Sequence, residues 1–111
     1  MAASANKTGI DIAVSNDGVI ASLSGRIDID SSPAVRDRLL ALLNAPHPNM
    51  IAIDLSALTH IDSSGVATLI EVLKIARRYK TEVTLQGLQG PLLRLFEITG
   101  ILSLFNGSTR T

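Results

Sequence analysis

The side chains whose types and spacing could carry chemistry gather in one block, Ile61-Asp62-Ser63-Ser64-Gly65-Val66. An apolar strand that includes Ile53 passes through a short polar turn to reach the block, which opens a long amphipathic helix. Two hydroxyls and a carboxylate therefore fall where a helix start leaves N–H groups unpaired and carries a partial positive charge. Small side chains and a glycine leave room for a close approach to the backbone. Two readings stand side by side. In one, Asp62, Ser63 or Ser64 only caps the helix. In the other, a serine hydroxyl accepts a phosphoryl group, adding about −1.5 to −2 charges at a helix N-terminus that tolerates them. That phosphate would lie beside Asp62, and beside Asp28 if the two loops converge. A partner matched to the unmodified surface would then be repelled.

Other constellations are weaker. Asp28 and Asp30 lie between a strand end and a helix start as a solvated turn. Asp30 could help cap the helix. Asp28, if near Ser63, could orient its hydroxyl or help hold a cation brought with a nucleotide. His60, Asp62 and Ser63 offer a nucleophile and a base on paper, yet there is no G-x-S-x-G elbow and residues so close in a turn rarely converge as a triad. Gly87-Leu88-Gln89-Gly90 is too sparse to cradle phosphates, and His47 lies between prolines. We expect no catalytic residue, no metal site and no cofactor of the chain's own.

The elements that position the block follow from periodicity. Ile10, Ile12 and Val14 alternate with polar or small residues as a strand, Asn16-Asp17-Gly18 reads as a hairpin turn, and Val19 to Ser24 returns as a second strand. Ser32 and Pro33 start a helix with Val35, Leu39, Leu42 and Leu43 on one face. After the break at Asn44 to Asn49, the apolar Met50 to Leu55 reads as a central strand covered on both faces. A helix from Ser64 to about Lys80 turns Val66, Leu69, Ile70, Leu73 and Ala76 to the core. Glu82 to Leu88 gives another strand. Pro91 begins a third helix with Leu92, Leu95 and Phe96 buried and Gly100 as its C-cap, and Ile101 to Phe105 suits a short edge strand. The order predicts a single α/β domain with a four- to five-stranded mixed sheet and helices packed against it. On the second helix, Thr68, Val72, Ile75 and Tyr79 form another apolar stripe, which suits a partner-binding face.

Composition narrows the function classes. The 111 residues suffice for one core, 46% are hydrophobic, and ten basic residues balance ten acidic ones. A neutral chain without a basic patch argues against nucleic acid. The absence of cysteine removes disulfide and thiolate chemistry and fits a cytoplasmic setting. No apolar run approaches the roughly 20 residues of a membrane span, and residues 1–8 lack the order of a signal peptide.

Asp54-Leu55-Ser56 followed by Ile61-Asp62-Ser63-Ser64-Gly65-Val66 closely resembles the signature of the STAS domain of bacterial anti-sigma factor antagonists. Gly25-Arg26-Ile27-Asp28 resembles that family's upstream element, and Leu92 to Ile101 is similar to its C-terminal helix. The resemblance covers residues 9–105, with flexible tails at 1–8 and 106–111. It implies a non-enzymatic switch. Ser63 would be phosphorylated by an anti-sigma factor that is also a Ser/Thr kinase, and a phosphatase would reset it. The unmodified antagonist binds that kinase and frees the sigma factor. Asp28, Asp62, Ser64 and Gly65 would surround the phosphosite, and ATP and Mg²⁺ would belong to the kinase. The same resemblance extends to the STAS subunits of lipid-asymmetry ABC transporters, which dock on an ATPase, and to scaffold subunits of stress-signalling assemblies. A monomer or weak dimer is expected.

Overall fold

Alternating side chains on the first strand meet alternating side chains on the second. A computed structural model describes residues 8–15, 18–44 and 48–105. Strands β1 (Gly9–Ser15) and β2 (Gly18–Ile27) pair antiparallel, with Ile10 opposite Leu23, Ile12 opposite Ala21 and Val14 opposite Val19. Asn16 and Asp17 of the expected turn, the 1–7 and 106–111 tail residues, and His47 lie outside the described residues. Strand β3 (Met50–Ile61) lies parallel to β2, and β4 (Glu82–Gln86) parallel to β3, giving the mixed sheet order β1-β2-β3-β4. Helices α1 (Ser32–Ala41) and α2 (Ser63–Arg78) make the two parallel crossovers. Both step the same way across the sheet, so the right-handed rule sets both on one face. Helix α3 (Gly90–Thr99) joins them through Phe96, which is fully buried in the common core with Leu23, Ile53, Leu69 and Leu85.

The expected fold class is therefore observed, with differences that have physical causes. Helices cover one face of the sheet, not two. On the other face Ala52 is buried because Ile20 and Thr84 flank it in register. Strand β3 continues through Ser56–Ile61, where polar residues suggested a turn. Its pairing with β2 shifts register between Ser22 and Ser24 and again between Gly25 and Arg26. These irregularities absorb extra β3 residues while Leu55, Leu58 and Ile61 stay inward. Ile101–Phe105 is a 3₁₀ helix rather than a fifth strand. Gly100 ends α3 in the left-handed region (φ 74°), as its position suggested, and its carbonyl then accepts from Ser103 N–H at 3.3 Å and Ser103 Oγ at 2.8 Å, holding the chain in a tight turn. The N-cap position of α1 is Ser31 rather than Ser32, with no capping bond from its side chain to the helix, and α2 begins at Ser63.

The second apolar stripe of α2 needs the largest correction. Val72 and Thr68 are buried, at 0% and 7% exposure, because α1 packs beside α2 on the same sheet face. A helix flanked by a sheet and a neighbour must bury a wider arc than a helix on a sheet alone. Arg36 of α1 grips Glu71 of α2 with two hydrogen bonds, Nε to Oε1 at 2.9 Å and a terminal nitrogen to Oε2 at 2.8 Å. Ile75 and Tyr79 instead line a shallow cleft against Leu40, Ala41 and Asn44, and Tyr79 remains 42% exposed. Val66 and Ile70, expected in the core, are half-buried, and Leu95 of α3 is 38% exposed. Because Val72 is core, Val72→Asp is expected to lower unfolding free energy by roughly 3 kcal/mol or more. Urea denaturation checks this, and an unchanged midpoint would contradict the packing of α1 on α2.

Candidate functional site at the start of helix α2

Helix α2 starts where β3 ends, and Asp62 is its N-cap. The Asp62 backbone is extended, and Oδ1 accepts from Ser64 N–H at 3.0 Å, Gly65 N–H at 3.1 Å and Ser64 Oγ at 2.6 Å. Two orphan helix donors are thereby satisfied, and the Ser64 hydroxyl is committed to the cap. The Ser64 hydroxyl, with the N–H groups of Gly65, Ser64 and Ile29, holds the Asp62 carboxyl below its ordinary value of 3.8, against a desolvation that acts the other way. Ser63, at the first helical position, is the exposed member of the trio.

Gly65 is set by a close approach. A Cβ there would stand 2.5 Å from Ile61 Cγ1, 2.8 Å from Ile27 Cγ2 and 3.1 Å from Ile27 O. No larger residue fits without moving α2 away from β2. The same contact brings in the loop that follows β2. Asp62 N–H donates to Ile27 O at 3.1 Å, which ties the loop after β2 to the start of α2. The loops of Asp28 and Ser63 thus converge, as one of the two sequence readings required.

The Asp28 carboxylate is occupied within its own turn. Its Oδ1 accepts from Asp30 N–H at 3.0 Å, Ser31 N–H at 3.1 Å and Ser31 Oγ at 3.3 Å, and Arg26 lies 3.9 Å from Oδ2. Asp28 therefore shapes the loop beside Ser63, and Asp30 stays exposed. His60 is exposed on β3, while the Asp62 carboxylate is spent on the helix start, so these residues do not assemble a Ser–His–Asp relay. Among the described residues no group of three or more His, Cys, Asp or Glu could hold a metal ion, and no helix is long and apolar enough to cross a membrane.

A feature that sequence reasoning missed adjoins Ser63. Ile61, Asp62, Ser63, Val66, Ala67 and Ile70 form one side of a groove of about 510 Å³, and Leu95, Thr99 and Ile101 form the other. Its one signal in the sequence was that α3 carries more apolar residues than one buried face needs. Ile29, on the turn tied to Asp62, is also exposed.

With this geometry in hand, comparison identifies the family. A model of the STAS domain family matches residues 9–111, and the chain belongs to that family. The anti-sigma-B factor antagonist of Bacillus subtilis (strain 168) is 26% identical over 102 residues, covering 92% of each chain. The anti-sigma-B factor antagonist of Listeria monocytogenes is 33% identical over 79 residues, 71% of this chain and 68% of the relative. The crystal structure of an anti-sigma factor antagonist from Mycobacterium paratuberculosis has the same fold, with a TM-score of 0.80 at 24% identity over 90% of this chain and 84% of that one.

The Asp62 cap makes a pH-dependent prediction. Because folding depresses its pKa, its stabilising contribution is complete above the unfolded carboxyl range near 3.9 and is lost as pH falls through the lower folded value. Asp62→Ala is expected to lower Tm at pH 7, and the gap to wild type should narrow as pH drops below about 4. Thermal melts across that range check it. A gap that stays constant into acid would contradict the ionised cap.

Proposed function

We propose that the chain is an anti-sigma factor antagonist switched by phosphorylation of Ser63. The observation that carries this reading is the division of labour at the α2 start. Asp62 and Ser64 are bound to each other in the cap, whereas Ser63 stands exposed beside them. Relatives named anti-sigma-B factor antagonists, at up to 33% identity, support the same role.

In this reading the chain works in the cytoplasm as substrate and ligand rather than as catalyst. Unmodified, it binds an anti-sigma factor that is a Ser/Thr kinase, and the sigma factor is released. The kinase supplies ATP and Mg²⁺. Ser63 Oγ attacks the γ-phosphorus, the bond to the ADP oxygen breaks, and the hydroxyl proton passes to a base of the kinase. The product is a phosphoserine at a helix N-terminus, where the dipole and N–H groups tolerate added negative charge. A phosphatase returns the hydroxyl by hydrolysis. Asp28, Asp62, Ser64 and Gly65 shape the turn without taking part in the transfer.

Incubation with the cognate anti-sigma kinase and ATP–Mg²⁺ tests this. Ser63→Ala is expected to take up no phosphate while still binding the kinase, and Ser64→Ala to remain a substrate. Undiminished labelling of Ser63→Ala, or wild type that purifies with an ABC ATPase and is not labelled, would contradict the proposal.

A further inference from the structure

The groove beside Ser63 is built mostly of apolar side chains, and its polar members other than Ser63 itself are already hydrogen-bonded. Thr99 Oγ1 is hydrogen-bonded to the Leu95 and Phe96 carbonyls at 2.9 and 3.2 Å, and Asp62 is occupied by the cap. A polar group inserted there would find few partners and lose its hydration. Leu95 forms one wall and is nevertheless 38% exposed, one turn from Ile98 at 76%. Large apolar side chains left open beside a functional residue mark a contact surface.

Resting on the reading of Ser63 as phosphoacceptor, we infer that this groove seats an apolar anchor of the kinase, a Leu-, Ile- or Phe-type side chain, and that phosphate on Ser63 releases the kinase by resisting desolvation. The occupant follows from continuity. Ser63 itself lines the groove, so a protein whose nucleotide reaches Ser63 Oγ lays its surface over the groove. A buried apolar anchor in a pocket is the usual energetic centre of such a contact. Sealing it brings Ser63 from water into the edge of a dry interface. A hydroxyl crosses at the cost of one replaced hydrogen bond, whereas a phosphate dianion carries a far larger desolvation cost. Repulsion from Asp62 is the weaker explanation, because its charge is offset by the donors around it and surface charges are screened within about 8 Å at physiological salt.

Calorimetric titration of the full chain into the kinase with ADP–Mg²⁺ tests both parts. Leu95→Glu and Ala67→Arg are expected to raise Kd about tenfold or more while keeping a cooperative melt. Leu95→Ser replaces either variant that does not fold and should shift Kd the same way. Ser63→Glu should weaken binding by a similar factor at about 0.1 M and about 1 M salt. Folded groove variants that bind within about twofold of wild type would overturn the anchor and leave Ser63 as acceptor. A Ser63→Glu loss that vanishes at high salt would overturn the desolvation mechanism. Wild type neither bound nor phosphorylated would overturn the acceptor reading, and this inference with it.

Discussion

The carboxylate of Asp62 is the joint on which the rest of the site depends. It caps α2 through Ser64 and Gly65 and fixes the Ser64 hydroxyl, while the Asp62 N–H holds the loop after β2 through Ile27 O. These bonds form only if α2 starts hard against β2, and Gly65 permits that approach to Ile27 and Ile61. One acid and one glycine therefore decide where the helix begins. They also decide which serine faces the core-side cap and which faces out. A different helix start would rotate the trio and exchange those roles.

The layered fold supplies the surroundings. Two crossover helices share one sheet face, so α2 is shielded by α1 along Thr68 and Val72 and clamped through Arg36 and Glu71. Among the described residues its opposite flank faces the short α3 and the start of the 3₁₀ turn across the groove. Space is left between Ala67 and Leu95, and it opens directly onto Ser63. The unfilled flank and the phosphoacceptor candidate are thus products of the same packing asymmetry.

Much of this was legible in the sequence where local chemistry determines local structure. The β1–β2 alternation, the Gly100 cap and the Asp62–Gly65 helix start follow from period and cap residues alone. What escaped depends on distant packing. Nothing local to Ser56–His60 announces that register shifts against β2 will keep those residues in strand. The helical wheel of α2 cannot tell a face covered by α1 from one covered by a partner, so from sequence alone Val72 faces outward. On α3 the same wheel places Leu95 inside because it is apolar, whereas it lines the open groove and stays 38% exposed. The apolar Ile101–Phe105 run matched a strand, but the turn after Gly100 carries it away from the sheet ladder.

The central claim is that capping assigns different fates to adjacent hydroxyls. The most direct measurement is fragmentation mass spectrometry of the wild-type chain after phosphorylation by its kinase, resolving Ser63 from Ser64. The account predicts all of the phosphate on Ser63, since Ser64 is bonded to Asp62 at 2.6 Å. Phosphate on Ser64, alone or shared with Ser63, would contradict it.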